Sequence, residues 1–583
     1  MKKLLAILLS LVMCFALVAA CETVTDDPAV DDPTVTTPTD SPPPSTPPTD
    51  APPPLEPSDL EKLLAEYGLD ENLRFTDQRS ITVLIWDRDT DTDPADNAFT
   101  DFIKEGMLRE HNVVVSYEKT GRWSEVDDLT LLLAEGIAPD VCYTFNYPTI
   151  LTFAQQGAIT DLQPYIDDSI DIFPNLWERL TAMRLYWNQD RDTGTIWSIL
   201  GMQPFNQRYV PFIREDWLAA LNMPMPTTVD EFEACLIAFR DNAELLLGAD
   251  ARQMVPLHMT EDIGWVAGPL VESFIPDSIT DRELYIYDGG GARNFFRPGA
   301  KEAIRVLNRW FNEGLIHPDF ALFSSGDDTA DNMIRAGFVG ALAGHSWDQP
   351  YRDGENGWTG RMHAAVGEHA NFIAVNAFKN DAGYYRKILG AANDRNMFVP
   401  ATSNEPVAAL LYLDFLSRAD VTKFIQTGFE GINHVVEPDG ALRSIAAEPG
   451  SREFMTSGMN YDLNMPTNGL DLGDFDLTNK SRALGYAGVD ARLIAESVKV
   501  QSTDVRIFGN VGAPTVVSEE GLGDTIRERG NAAWARAIVA PVDQFDSVYD
   551  SEMASILSGF AQAGIDERTR HWEATHGSAT MLP

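Results

Sequence analysis

Aromatic and acidic side chains follow directly after two short apolar segments of the chain, residues 81–86 and 141–145. Aromatic rings pack on the C–H faces of ring-shaped ligands, and planar carboxylate or amide groups bind adjacent hydroxyls in pairs. These residue types therefore suit a polar ring such as a sugar, although an isolated tryptophan is more often a core residue. The candidate ligand contacts are Trp86, Asp87, Asp89, Asn146 and Tyr147.

The loop after residue 86 carries an acidic residue at every second position, at Asp87, Asp89, Asp91 and Asp93. An EF-hand calcium loop needs glycine at its sixth position and glutamate at its twelfth. Counted from Asp87 these positions hold Thr92 and Ala98, and counted from Asp89 they hold Pro94 and Thr100. The pattern excludes an EF-hand, and we expect no metal site and no cofactor. A looser calcium site and a solvated acidic loop stay open as alternatives.

Catalytic and nucleotide-binding motifs are missing from the sequence. It contains no HExxH, no GxSxG and no P-loop. Carboxylate pairs are too frequent in such an acidic chain to identify a glycosidase. We therefore predict that the protein is not an enzyme.

Strands and helices alternate around the candidate residues. Apolar runs at 81–86, 113–115 and 141–145 predict buried strands, and the residues between them have helical spacing. This order predicts a parallel sheet, and ligands of open α/β sheets bind at the carboxyl ends of the strands. Amphipathic helices are also predicted behind a capping box at 228–231 and at 300–311. The chain is long enough for two lobes, so we predict an α/β fold with at least two.

The N-terminus has the charge and hydropathy order of an export signal. Two lysines precede an apolar run that ends in small residues before Cys21. This junction resembles the lipobox of bacterial lipoproteins, which implies cleavage after residue 20 and a palmitate-type lipid on Cys21. Residues 21–58 are rich in Pro, Thr, Ser and Asp and predict a disordered tether that reaches on the order of 100 Å. An unlipidated signal peptide, an uncleaved N-terminal helix and a mucin-like tail stay open.

The composition limits the choice of partners. Eighty-eight acidic residues oppose 44 basic ones, so nucleic acid is not expected to bind. No later segment is apolar enough to span a membrane, and we expect membrane contact through the lipid anchor only. Cys142 and Cys235 are the cysteines that remain beyond Cys21, and a disulfide between them is open in an oxidising compartment.

Several phrases of the sequence resemble the extracellular solute-binding lipoproteins of bacterial ABC importers, specifically the large, family 1-like, carbohydrate-type members of Gram-positive bacteria. The phrases are spread from about residue 80 to 435, and the tail 437–583 departs from the pattern. They are APDVCY at 138–143, QGAITDLQP at 156–164, FIREDWL at 212–218, GLIHPD at 314–319 and GFEGINH at 428–434.

The resemblance implies a type II periplasmic-binding-protein-like fold with a ligand cleft between two lobes. Lobe one would comprise 79–162 plus 396–434, and lobe two 165–390 plus 435–583. Cys142 and Cys235 would then lie in different lobes as buried, reduced thiols. The resemblance also adds candidate ligand contacts, namely Arg208 and Tyr209 beside the crossover, Trp347 and Glu430. Glu430 could equally hold its own loop, and residues 214–217 of the FIREDWL phrase are expected to cap and pack a helix.

The predicted function is that of a lipid-anchored receptor on the extracytoplasmic face of the cell membrane. It would act as a monomer, capture a carbohydrate such as an oligosaccharide by lobe closure, and deliver it to ABC permease subunits. Two alternatives stay open. One is a binding-protein-fold enzyme that uses a cysteine of the cleft, Cys142, and the other is a cell-surface adhesin without transport.

Overall fold

A computed structural model of the chain describes most residues from Glu56 onward. The described ranges are 56–88, 92–122, 124–166, 169–176, 193–202, 209–287, 295–324, 328–352, 354–380, 383, 387–389, 393–445, 447–454, 462–486, 488–503, 507–508, 516–519 and 522–575. The export signal, Cys21, Asp89 and Arg208 lie outside the described residues. Structure begins with a helix at Pro57, so the last two residues assigned to the tether are helical.

The strands agree with the three predicted near the N-terminus and add others further along the chain. Their bounds are β1 Arg79–Asp87, β2 Val113–Gly121, β3 Cys142–Thr144, β4 Ile199–Met202, β5 Tyr209–Arg214, β6 Val255–His258, β7 Val339–Ser346, β8 Phe372–Ala374, β9 Ile388–Leu389, β10 Asn393–Phe398, β11 His434–Val436, β12 Leu442–Ser444 and β13 Ile507–Phe508.

Helices alternate with the strands along the chain, and short 3-10 turns lie between several of them. The helices of seven residues or more are Pro57–Tyr67, Ala98–His111, Glu125–Glu135, Tyr147–Gln155, Val229–Asp241, Asp281–Tyr287, Ala300–Asn312, Asp328–Arg335, Trp358–Val366, Pro406–Ser417, Ala419–Thr427, Phe475–Ala483, Ala491–Ser502, Gly523–Val539, Phe545–Ile556 and Gln562–Thr575. The shorter ones are Gln163–Ile166, Ser169–Ile172, Glu215–Ala220, Ala243–Leu247, Ile263–Val266 and Gly268–Ser273.

The first sheet combines the predicted parallel strands with one antiparallel strand from far along the chain. β1 and β2 are parallel. β1 also contacts the residue just before β3, because the N–H of Leu84 donates a hydrogen bond to the carbonyl of Val141 at 2.9 Å. β10 lies between β3 and β4 and is antiparallel to both. The predicted parallel order of the first three strands is confirmed, while β10 could not be placed by any local pattern.

The core of the first lobe is built around the helix Pro406–Ser417, in which every residue from Ala408 to Leu416 is buried. This includes Asp414, whose carboxylate accepts hydrogen bonds from the backbone N–H groups of Asn175 and Leu176. Burial raises the pKa of Asp414, and these bonds oppose the rise. Among the described residues no helix is long and apolar enough to cross a bilayer.

The second sheet has the strand order β6-β7-β5-β8, with β6 parallel to β7 and β5 antiparallel to both of its neighbours. The helix Val229–Asp241 packs on it through Phe232, Leu236 and Phe239. Thr228 caps this helix by accepting a hydrogen bond from the N–H of Glu231. In a capping box the Glu231 carboxylate would accept from the N–H of Thr228 in return. Here it accepts from the N–H and hydroxyl of Thr227, one residue earlier, so only the first bond of the predicted capping box forms.

The C-terminal tail contributes to both lobes. Leu463 and Met465 are buried in the first core with β1 and β10. The second core takes in residues further along the tail, among them Leu493, Trp534 and Ile556. The tail thus has buried residues in both hydrophobic cores, and the predicted lobe boundaries stay a prediction.

The chain passes from one core to the other at residues 202–209, 389–393 and 468–475. β3 and β4 run in the same direction, so both end along the first half of β10: Thr144 pairs with Asn396, and Met202 pairs with Asn393. β5 starts at Tyr209, at the edge where β6 and β7 end. Because only six residues separate Met202, the last residue of β4, from Tyr209, the first residue of β5, these two strand ends lie no more than about 25 Å apart.

Candidate ligand-binding site

Trp86, at the end of β1, is enclosed by the first lobe and only 1% exposed. The centroid of its ring lies 4.3 Å from that of Tyr143 and 5.2 Å from that of Phe145. The guanidinium carbon of Arg122 sits 4.4 Å from the Trp86 ring centroid, in cation–π geometry. This packing favours a core role for the ring face, and a stacking contact between Trp86 and a ligand stays a prediction.

Buried ion pairs surround the Trp86 ring. Arg88 binds Asp462 with two hydrogen bonds of 2.5 and 2.8 Å, and the Asp462 side chain is 1% exposed. The fully buried Arg395 lies 3.5 Å from the carboxylate of Asp394. Each of these arginines is thus matched by a carboxylate, as burial of a charge requires.

A third ion pair lies at the carboxyl edge of the first sheet, beside the end of β3. Arg122 donates to Glu125 at 2.8 Å, and the other oxygen of Glu125 accepts from the hydroxyl of Thr144 at 2.8 Å. Burial raises the pKa of Glu125, and Arg122 and Thr144 oppose that rise.

Asp87, Asn146 and Tyr147 lie at the same edge and are partly exposed. The carboxylate of Asp87 is 3.7 Å from the ammonium of Lys119. The side chain of Asn146 caps the helix Tyr147–Gln155 by accepting from the N–H of Thr149 at 3.4 Å. The first sheet therefore brings these candidates together, with Asn146 already engaged in a local role.

An aromatic pair marks the carboxyl edge of the second sheet. Tyr209, a predicted contact, stacks on Trp265 with 5.3 Å between ring centroids and 29° between ring planes. Both residues are partly exposed, and Tyr209 pairs with Ser346 across the β5–β7 ladder. This pair has the exposure that a stacking platform requires.

Trp347 follows β7 and is also partly exposed. Its ring meets Tyr486 edge-on at 6.0 Å, and the guanidinium carbon of Arg482 lies 4.5 Å from its centroid. Because Trp347 comes directly after Ser346, the second sheet brings Tyr209 and Trp347 to one edge.

The carboxylate of Asp348 organises the polar groups beside Trp347. It accepts from Arg352 at 2.6 and 2.8 Å, from Ser346 at 2.7 Å and from the Tyr486 hydroxyl at 2.8 Å. Burial alone would raise the pKa of Asp348, but Arg352 and the hydroxyl donors outweigh it and lower the pKa. Asp348 therefore stays ionised and fixes this edge.

Glu430 lies in an exposed loop, where its backbone forms an isolated bridge with His434. The side chain of Asn433 also holds this loop, since it accepts from Phe429 N at 3.0 Å and donates to the carbonyl of Glu453 at 2.8 Å. Both the ligand role of Glu430 and the alternative that it holds its own loop stay predictions.

Sequence reasoning missed Trp265, Asp348, Asp462 and Arg395. Trp265 lies in the short helix Ile263–Val266, seven residues beyond the end of β6, so the strand-end rule did not select it. The pairing of Arg88 with Asp462 joins residues 374 positions apart and had no local signal. Arg214, Asp216 and Trp217 form a local cluster in which Arg214 binds Asp216 and covers Trp217, as expected of helix-capping residues.

Both remaining cysteines are buried free thiols, Cys142 in the first core and Cys235 in the second. Burial raises the pKa of Cys142 well above its ordinary value and that of Cys235 to about 11. Among the described residues, no cluster of three or more His, Cys, Asp or Glu side chains could hold a metal ion.

The two edges together offer partly exposed aromatic faces on one side and hydrogen-bonding side chains on both. Such a combination binds polar rings by stacking and by paired hydrogen bonds. No group on either edge is both exposed and poised as a nucleophile within the described residues.

Searches of the solved structures find the same architecture repeatedly. The alginate-binding protein AlgQ2 without calcium ion matches 86% of this chain and 100% of its own, at 16% identity and a TM-score of 0.59. The S. pneumoniae ABC-transporter substrate-binding protein FusA, as an EF-hand mutant with fructo-nystose, matches 86% and 100% at 14% identity and a TM-score of 0.58. An extracellular solute-binding protein from Bifidobacterium longum subsp. infantis matches 84% and 98% at 15% identity and a TM-score of 0.55.

The chain has a periplasmic-binding-protein-like fold. The predicted fold class is confirmed, and the structural similarity is to extracellular carbohydrate-binding proteins of ABC transporters. No protein-family model matches the sequence, and no curated protein matches it significantly.

Proposed function

We propose that this protein is a lipid-anchored extracellular receptor that binds an oligosaccharide and passes it to an ABC permease. The observation that carries the proposal is the set of partly exposed aromatic groups at the carboxyl edge of the second sheet, the Tyr209–Trp265 pair and Trp347. Similarity of fold to an alginate-binding protein and to a protein with bound fructo-nystose supports a carbohydrate ligand.

The mechanism is a population shift between open and closed lobes. A ligand that contacts both edges stabilises the closed state. The change in the populations of the two states is limited by the ratio of the ligand's affinities for the closed and open states. The closed protein would present surfaces of both lobes to the permease. The protein itself would act as a monomer, without cofactor, catalysis or nucleic acid.

The first test is a thermal-shift screen of residues 57–583 against neutral fructo-oligosaccharides and anionic alginate oligosaccharides. A ligand at a hundred times its Kd stabilises the folded protein by about 2.7 kcal/mol, which raises the melting temperature. A hit confined to one carbohydrate class supports the proposal. The absence of any shift across both classes contradicts it.

Two variants test whether the ligand found in the screen binds at the candidate site. Trp265→Ala and Trp347→Ala should weaken binding, because each removes an aromatic face at the second edge. Trp572→Ala is the matched control, since Trp572 is also partly exposed and packs edge-on against Tyr285, in a separate small cluster. Equal Kd values for all three variants and the wild type would place the ligand elsewhere.

The enzymatic alternative is disfavoured by the position of Cys142. Its thiol donates to the carbonyl of Pro139 at 3.2 Å, and the side chain is fully buried with a raised pKa. A nucleophilic cysteine needs an accessible thiolate. Iodoacetamide should leave the native protein unmodified at both Cys142 and Cys235.

The adhesin alternative differs in its response to a small soluble ligand. A receptor closes around its ligand, so small-angle scattering should show a smaller radius of gyration when the sugar from the screen is added. An adhesin without transport would show no such change.

The lipid anchor is a separate part of the proposal and rests on the sequence around Cys21. Cys21→Ala should release the protein from membranes into the medium. Mass spectrometry of the mature wild type should find an acylated cysteine at its N-terminus. A mature chain that starts at another residue would refute the anchor while leaving the receptor function untouched.

A further inference from the structure

Asn464 is a buried amide with no partner for either of its polar atoms. The residue is 1% exposed, and neither its Oδ1 nor its Nδ2 forms a hydrogen bond. A buried amide that gives up water without a protein partner costs free energy, so such groups are rare in folded proteins. The exception calls for a ligand that supplies the missing bonds.

The backbone around Asn464 is held firmly at the carboxyl edge of the first sheet. Its carbonyl accepts from Arg395 at 3.3 Å and from the N–H of Thr467 at 3.2 Å. The carbonyl of Pro466 accepts from the N–H of Met202, the last residue of β4, at 2.9 Å. The open amide therefore sits at the crossing of the lobes, on a segment that cannot swing away freely.

A second open donor lies beside the same arginine. The indole Nε1 of Trp86 is buried and forms no hydrogen bond. The guanidinium carbon of Arg395 lies 6.0 Å from the centroid of the Trp86 ring. Arg395 thus links two residues that between them offer two free donors and one free acceptor.

The charges around these groups are matched, which indicates the type of ligand atom. Arg88 is paired with Asp462, and Arg395 lies 3.5 Å from Asp394 and 4.0 Å from Asp462. A carboxylate of the ligand would meet these acidic groups without a spare cation. A pair of hydroxyls instead gives each polar atom of the amide a partner, one hydroxyl as donor to Oδ1 and the other as acceptor from Nδ2.

We propose that Asn464 and the indole N–H of Trp86 form an enclosed subsite that binds the hydroxyls of one neutral sugar unit. The inference rests on the proposed function and narrows its substrate class to oligosaccharides that place an uncharged sugar unit in this subsite. It also gives Trp86 a role through its edge rather than through its ring face.

The test compares Asn464→Leu with a matched control, Asn308→Leu. Asn308 is also 1% exposed, but its amide donates to the carbonyls of Ala537, Ile538 and Ala540 at 3.1, 3.0 and 2.7 Å. Leucine has a similar shape and no polar atoms. Melting temperatures are measured without sugar, and Kd values by calorimetry with the neutral and anionic oligosaccharides of the screen.

Asn464→Leu should keep or raise the melting temperature and weaken binding of the neutral oligosaccharide at least tenfold. Asn308→Leu should lower the melting temperature by several degrees and change Kd less than twofold. Trp86→Phe, which keeps the ring and loses the N–H, should weaken binding severalfold.

Two outcomes overturn the subsite. A loss of melting temperature in Asn464→Leu as large as in Asn308→Leu would show that the amide is bonded inside the folded protein. An unchanged Kd in Asn464→Leu would show that it does not touch the sugar. If the wild type binds no carbohydrate, the proposed function itself fails; if it binds only the anionic one, the receptor stands and the neutral subsite fails.

Discussion

The carboxyl edges of the two sheets use aromatic residues in opposite ways. At the first edge, Trp86 is enclosed by Tyr143, Phe145 and Arg122 and is 1% exposed. At the second edge, Trp265 and Trp347 remain partly exposed. A tryptophan at the end of a strand is thus compatible with either role, and the side chains from neighbouring strands decide between them.

The difference assigns separate tasks to the two lobes. The first edge is a dense network of ion pairs in which the aromatic ring supports the arginines. The second edge has aromatic faces free enough to stack on a ligand. We therefore expect substitutions in the ion-pair network and aromatic packing of the first edge to affect folding most strongly, and substitutions of the exposed aromatic faces at the second edge to affect affinity.

The largest contrast is expected between Trp86→Ala and Trp265→Ala. Loss of the buried Trp86 ring leaves a cavity and removes the support of Arg122, which should cost about 3–5 kcal/mol of unfolding free energy. Trp265→Ala removes a partly exposed ring and should cost about 1 kcal/mol or less. Urea unfolding followed by circular dichroism measures both, and equal losses would abolish the distinction between the edges.

Asp462→Ala should destabilise the first lobe by about 3 kcal/mol, because it leaves the buried Arg395 and the partly buried Arg88 without this carboxylate. The exposed pair of Lys480 with Asp439 is the control, since Asp439→Ala breaks an ion pair with both side chains 51% exposed. That control should not change the denaturation midpoint measurably. A stable Asp462→Ala would mean that Asp394 and solvent suffice to balance the two arginines.

Acid should destabilise the second lobe through His258. Burial, together with His345 and His317, lowers the pKa of His258 to about 3, and burial and Arg352 lower that of His345 to about 4. The unfolded chain takes up protons near pH 6.5 and the folded one does not, so stability falls as the pH drops below 6.5. His258 alone should cost about 2 kcal/mol by pH 5.

His258→Phe is the variant that isolates this contribution. Its unfolding free energy should depend less steeply on pH between 6.5 and 4 than that of the wild type. Parallel pH profiles for the two proteins would show that His258 is protonated in the folded state. Denaturant titrations at several pH values provide the measurement.

The smallest expected effect is a loss of oligosaccharide affinity at the second edge, and it tests whether Trp347 stacks on the ligand. Trp347→Ala should weaken oligosaccharide binding by about 1 kcal/mol, roughly fivefold, through loss of a stacking face. Trp347→Phe should recover part of the affinity, because an aromatic face remains. Calorimetry with the sugar identified in the screen distinguishes the two variants, and equal affinities would exclude stacking.

Local patterns predicted much of the fold correctly. The run at 81–86 lies within β1, and Gly136 and Gly314 follow their helices in the left-handed conformation, with φ of 71° and 74°. Such signals work because a strand period or a helix end depends on neighbouring residues. The insertion of β10 between β3 and β4 depends on residues far along the chain, and no local pattern indicates it.

The candidate site was predictable only in part for the same reason. The strand-end rule selected Trp86 and Asn146, and the resemblance added Tyr209 beside the crossover; all three lie at the carboxyl edges. It could not tell that Phe145 and Arg122 enclose Trp86, or that Trp265 stacks on Tyr209. Exposure depends on tertiary packing, and position on a strand leaves it open.

The insertion of β10 also limits when each lobe can finish folding during synthesis. Asn396 donates to the carbonyl of Thr144 across 252 residues, and the whole second sheet lies between them in the sequence. The first lobe then still needs Leu463 and Met465, and the second needs Trp534 and Ile556. Neither lobe can finish folding before most of the chain has been synthesised. We therefore expect the growing polypeptide to stay incompletely folded, as passage through a narrow export channel would require.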